Sequence, residues 1–143
     1  MILLRWQEGY RPEYQTEFSS CADLRARTGC VIKAKERAKV PTGVWIDRVI
    51  WERVPFGCVP EIQVRARSGL AYKFGITLTN GIGTIDADYP DEICVLLSNN
   101  GDQDFTVESG DRIAQILLSV TYRFPDILTK PDSVRIGGFG STS

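Results

Sequence analysis

Apolar residues along this chain come in short runs, and the runs alternate or are β-branched instead of following a helical period. The stretches are "GCVIKA" (29–34), "GVWIDRVIWERV" (43–54), "EIQVRA" (61–66), "ICVLLSN" (93–99), "DFTVES" (104–109) and "RIAQILLSVTYRF" (112–124). Turn-forming clusters separate them: "VPTG", "VPFG", "SNNGDQD" and "ESGD". "ERAKVPTG" runs too soon into Pro41 to carry a helix. Many short strands punctuated at regular intervals predict an all-β sandwich or barrel. Within 43–54 the strand pattern puts Trp45 and Trp51 on one face, as an extended surface hairpin would.

The pattern fails after "TYRFPDIL". The last stretch, "TKPDSVRIGGFGSTS", has only Val134, Ile136 and Phe139 as sizeable apolar groups, too few to offset the entropy of ordering it. The expected organisation is therefore one β domain over residues 1–128 and a flexible C-terminal arm over 129–143. At 143 residues the chain is long enough for one real core.

Composition narrows the chemistry. A net charge of −1 gives no basic field for nucleic acid or an anionic membrane. No run approaches transmembrane length, and the apolar start "MILLRW" is too short for a signal peptide, so a cytoplasmic protein is expected. The four cysteines, Cys21, Cys30, Cys58 and Cys94, form no CxxC pair and read as reduced thiols. The chain has no histidine, so a Ser-His-Asp or Cys-His system cannot be built, and any catalytic base must be a carboxylate, lysine, tyrosine or thiolate.

Four constellations could carry function. "RARSGLA" offers the Arg67 guanidinium, the Ser68 hydroxyl and the open backbone of Gly69, a set that suits phosphate oxygens or an ordinary surface turn. In "GDRIAQILL", Gln115 interrupts an apolar run, either as an edge residue or as an amide aimed into a site. In "NGIGTIDADYPDE", an extended backbone would put Asp86 and Asp88 on one face, opposite Ile85, Ala87 and Tyr89. That pair reads equally as a catalytic base with a structural acid, as a metal-binding pair, or as a hairpin tip. In "RIGGFGSTS", Gly137, Gly138 and Gly140 surround Phe139, whose ring suits a base or sugar, and Arg135, Ser141 and Thr142 suit anions.

Taken in order, these pieces resemble the five motifs of the trimeric dUTPase family. "YQTEFSSCADLRA" is similar to A-G-x-D-L-x-A and "RARSGLA" to P-R-S-G-L-A. "NGIGTIDADYPDE" is similar to G-x-I-D-x-D-Y-x-G-E. "GDRIAQILL" resembles the fourth motif, and "RIGGFGSTS" is similar to R-G-x-G-G-F-G-S-T-G. The resemblance runs from about Tyr14 to the last residue. It implies a distorted jelly-roll β-barrel, a homotrimer with active sites shared between subunits, and hydrolysis of dUTP to dUMP and pyrophosphate with Mg2+.

Carried over by position, the resemblance makes Asp86 the base that activates water and Tyr89 the residue that packs on deoxyribose. Asn80 and the backbone of the 80–89 hairpin, Gly83 and Ile85 included, would read uracil. Arg67, Ser68, Gly69 and Gln115 would line the phosphates. Asp23 would lie near a metal held indirectly, through phosphates and water. Phe139 would stack on uracil from another subunit's arm, with Arg135, Gly140, Ser141 and Thr142 toward the γ-phosphate.

The chain departs from the family pattern at Ser20-Cys21-Ala22, at Ala66 in place of proline and at Pro90-Asp91. It departs also in the longer stretch before "RARSGLA" and in a fifth motif one residue short after Arg135. The alternatives are a dCTP deaminase-type relative and a dUTPase-like trimer that binds a regulatory protein through residues 45–54.

Overall fold

The computed structural model describes residues 1–125 and 137–139. Its strands are β1 (Ile2–Trp6), β2 (Ala22–Arg25), β3 (Cys30–Ile32), β4 (Arg37–Pro41), β5 (Val44–Val49) and β6 (Cys58–Arg65). After a helix, α1 (Ser68–Phe74), come β7 (Ile76–Leu78), β8 (Gly83–Asp86), β9 (Cys94–Asn99), β10 (Phe105–Val107) and β11 (Arg112–Tyr122). The larger sheet has the order β2-β11-β6-β8 and a second sheet the order β4-β9-β7; β1-β5 and β3-β10 form two-stranded sheets. All these pairings are antiparallel.

Period-two patterning fills the interior as the sequence predicts. β6 buries Pro60, Ile62 and Val64 and turns Glu61, Gln63 and Arg65 outward, while β9 buries Val95, Leu97 and Asn99. Leu24, Ile32, Ile93, Leu97 and Ile113 are fully buried and belong to one apolar cluster. Asn99 is a polar residue in this apolar row, and its amide is used: Nδ2 donates to the carbonyls of Ile32 and Gln103, and Oδ1 accepts from the Gly101 N–H. That satisfies a group whose burial would otherwise be costly.

Several local expectations are corrected. β1 is a strand paired with β5, and Arg5 holds its guanidinium 4.7 Å from the Trp45 ring centroid. No hairpin extends through 43–54. β5 ends at Val49 and a 3-10 turn, Trp51–Arg53, follows, in which Arg53 N–H donates to Ile50 O and Val54 N–H to Trp51 O. Trp51 therefore shares no strand face with Trp45. "RSGLAYKF" is not a simple turn but leads into α1, which stops at Gly75 in a left-handed conformation (φ 69°). Gly75 is demanded twice, because a Cβ there would also lie 2.8 Å from the Gly101 nitrogen.

Candidate functional site

The hairpin that opens at Asn80 builds the first cavity. β8 pairs with β6 through Gly83–Val64, Thr84–Gln63, Ile85–Ile62 and Asp86–Glu61. A Cβ on Gly83 would lie 3.0 Å from the Val64 Cβ, so only glycine lets the strands approach this closely. The chain then leaves the strand, with Tyr89 N–H donating to Asp86 O at 3.0 Å. Asp88 therefore lies in a turn, not on the strand face of Asp86, and the expectation of two carboxylates side by side on one strand is corrected.

Tyr89 folds inward and is buried, its hydroxyl donating to Glu92 O. The resulting cavity, about 130 Å3, is lined by Asn80, Gly83, Thr84, Ile85, Tyr89 and Phe139 with Val64, Leu78 and Cys94–Leu96 behind them. Burial pushes the Cys94 thiol up, which suits an inert wall of the cavity.

Glu92 braces this hairpin against the barrel. It accepts a bidentate pair of bonds from Arg27 at 2.9 Å each and one from the Gly43 N–H at 2.6 Å. Burial alone would push its carboxyl up, but the guanidinium and the backbone donors outweigh burial and hold it below the usual carboxylate range.

A second, wider cavity of about 360 Å3 gathers Asp23, Arg67, Ser68, Gly69 and Gln115. Gln115 is not an edge residue, because β11 lies between β2 and β6 and Gln115 pairs with both Asp23 and Arg65. Its Nε2 donates to Ala66 O, tying it to the loop before α1. The same cavity contains residues that sequence reasoning missed, notably Arg112, Gln15, Ser19 and Ser20.

Asp23 is buried between two cations, Arg67 Nε at 3.5 Å and Arg112 Nη1 at 3.2 Å. Arg67 Nη1 also donates to Arg112 O at 2.8 Å. Asp23 thus positions two guanidinium groups on one wall, which leaves them poised for anionic oxygens. Among the described residues no group of three or more Cys, Asp and Glu side chains is arranged to hold a metal ion. The donor set of the second cavity is one carboxylate already spent on arginines, which fits a cation carried on phosphate oxygens and not one caged by protein.

Asp86 and the second cavity do not meet within one chain. Along β6, Asp86 lies opposite Glu61 and Gln115 opposite Arg65. That offset is about 13 Å along the strand, with two strand spacings across, about 9–10 Å, still to be added.

Phe139 lines the first cavity, and Gly137 and Gly138 line the cleft beside it. A Cβ on Gly138 would come within 2.5 Å of Tyr89 Cε2, so the backbone lies directly on that ring. Of the sequence-derived site residues, Arg135, Gly140, Ser141 and Thr142 lie outside the described residues.

Comparison with known proteins places this geometry. The sequence model of the dUTPase family matches residues 8–143. A deoxyuridine 5'-triphosphate nucleotidohydrolase of Rickettsia akari is 46% identical over 142 residues, covering 94% of this chain and 88% of that protein. Among solved structures, a dUTPase from Streptococcus mutans superposes with a TM-score of 0.69 at 25% identity, covering 86% of this chain and 98% of that one. A mutant dUTPase from phage phi11 of S. aureus, reported for its coordination of a structural Mg(II) ion, gives 0.67 at 19% identity over 93% and 97%. With a match over nearly its whole length and to relatives of this similarity, the chain belongs to the dUTPase family.

Proposed function

We propose that this protein hydrolyses dUTP to dUMP and pyrophosphate, with Asp86 as the base toward the attacking water. The observation that carries the reading is a narrow pocket lined by Asn80, Gly83, Ile85 and Tyr89, with the acid Asp86 directly after Ile85 at the end of β8. A pyrimidine edge would meet the Asn80 amide and the backbone of Gly83–Ile85. The buried Tyr89 ring, covered by Gly138, leaves little room for a 2'-hydroxyl. Phe139 at the cavity mouth supplies a stacking face for the base.

Attack of water on a phosphoanhydride needs in-line positioning, a proton acceptor and charge neutralisation, with no covalent nucleophile. Asp86 would take the proton from water at a carboxylate oxygen. Arg67, Ser68, Gly69 and Gln115, with Arg112 added, would hold phosphate oxygens. Mg2+ on the triphosphate would neutralise its charge, held by phosphates and water near Asp23. Arg135, Gly140, Ser141 and Thr142 would complete the phosphate side as the arm closes.

The separation of Asp86 from the phosphate-side cluster supports a homotrimer, in which one copy presents the base and pocket and a neighbour presents Arg67, Ser68 and Gln115. A cytoplasmic setting is supported by four free thiols. Uracil exclusion from DNA and dUMP supply for thymidylate synthesis follow from the same reaction. A second reading, a protein contact at 45–54, rests on the exposed Trp51 ring; the deaminase alternative has no feature of the pocket in its favour.

The direct test is pyrophosphate release from dUTP, dTTP, dCTP and UTP with Mg2+. Strong preference for dUTP is expected; equal turnover of dTTP or UTP, or ammonia release from dCTP, would overturn the assignment.

A further inference from the structure

The arm's ring has a second neighbour that no reading of the reaction uses. Lys39 lies on β4 opposite Leu96 of β9, and Leu96 lines the first cavity, so strand register delivers the lysine to the cavity rim. Its Nζ lies over the Phe139 ring, 4.4 Å from the centroid. A ring capped by a cation on one face keeps its other face for a planar ligand. Lys39 also borders the cleft that takes Gly137–Phe139, together with Pro41, Tyr89, Asp91 and Glu92.

Seating the ring is not free of cost. Phe139 has φ of 52°, the left-handed region that a bulky side chain avoids, so the seat must supply a compensating contact. The cavity wall offers part of it, and the ammonium offers a directional part that apolar neighbours cannot.

We propose that Lys39 is a positioning residue that latches the arm, holding Phe139 over the base pocket through a cation–π contact. The proposal rests on the role given above to Phe139 as the stacking face for the base. Because it acts on the ring, Lys39 sets how much of the time the pocket is covered and leaves the proton-transfer step to Asp86.

The test is a double-mutant cycle on kcat/KM for dUTP with the full chain. Lys39→Gln is expected to lower kcat/KM about two- to five-fold, and Lys39→Arg, which keeps the cation, to restore it. In a Phe139→Leu background, Lys39→Gln should cost nothing further. No effect of Lys39→Gln alone would overturn the latch while leaving the stacking role of Phe139 standing. An equal loss with and without the ring would overturn it too, because Lys39 would then act on the triphosphate or on the fold. If Phe139→Leu itself leaves kcat/KM unchanged, the stacking role fails and the latch fails with it.

Discussion

Gly138 leaves no room for a Cβ against the Tyr89 ring, and each of the two residues predicts a separate kinetic outcome. A methyl group at 138 cannot fit against a ring that is itself buried, so Gly138→Ala should weaken arm seating. An increase in KM for dUTP of about ten-fold is expected, equivalent to about 1.4 kcal/mol. Initial-rate measurements on the variant check it. Tyr89→Ala should instead erode selectivity, bringing the kcat/KM values for dUTP and UTP closer together. A ratio of substrates is read on the same folded molecules, so loss of stability from the missing ring does not blur it.

Residue types made this part of the site legible. An acid and a tyrosine beside a glycine hairpin are conspicuous in an apolar sequence, and so is a phenylalanine among glycines. What stayed hidden were the pairings over long sequence separation. Asp23 looked like a neighbour of metal, and only the fold brings Arg67 and Arg112 onto its two oxygens. The arginine of "GDRIAQ" carried no local sign that it faces the same cavity as "RSG".

At the scale of elements, the hairpin after β8 depends on a brace from another part of the chain. Arg27 follows β2, Gly43 precedes β5, and both bond Glu92, which ties the turn beyond Tyr89 to the barrel. The Glu92 carboxyl is held below its ordinary value of 4.5, so the folded state binds its proton less readily than the unfolded chain. The stabilisation is therefore present above that value and is lost as pH falls through the depressed folded pKa. Glu92→Gln should be less stable than wild type at pH 7, and the gap should narrow in acid below about pH 4. Denaturant midpoints at the two pH values measure both numbers.

Strands were the most readable elements because alternation survives in β6 and β9. The helix α1 was not, since "SGLAYKF" contains a glycine, two aromatics and only seven residues, too few to show a period. β1 escaped for a related reason: "ILLRW" has no alternation, and its strand character comes from pairing with β5. The 3-10 turn at Trp51 broke a pattern that continued perfectly well on paper.

For the whole molecule, the decisive feature is that the proposed base and the proposed phosphate side lie apart within one chain. Asp86 lies opposite Glu61 and Gln115 opposite Arg65, so the two are offset along β6 and lie on either side of it in the same sheet. If the working unit joins the base of one copy to the phosphate side of another, two inactive variants should complement. Asp86→Asn and Arg67→Gln chains, each nearly inactive alone, should regain about one quarter of wild-type sites when co-assembled in equal amounts. That fraction is the chance that one copy contributes its intact Asp86 and its neighbour an intact Arg67. Mixed assemblies with no more activity than either parent would show that each chain completes its own site.

Whether Asp86 activates the water that attacks dUTP is tested most directly by single-turnover pyrophosphate release with Asp86→Asn. Binding of a non-hydrolysable dUTP analogue is measured on the same preparation. Near-normal binding is expected, with turnover lowered about 100-fold or more, the scale of a lost general base. Turnover close to wild type in that variant would contradict the role of Asp86 as the base.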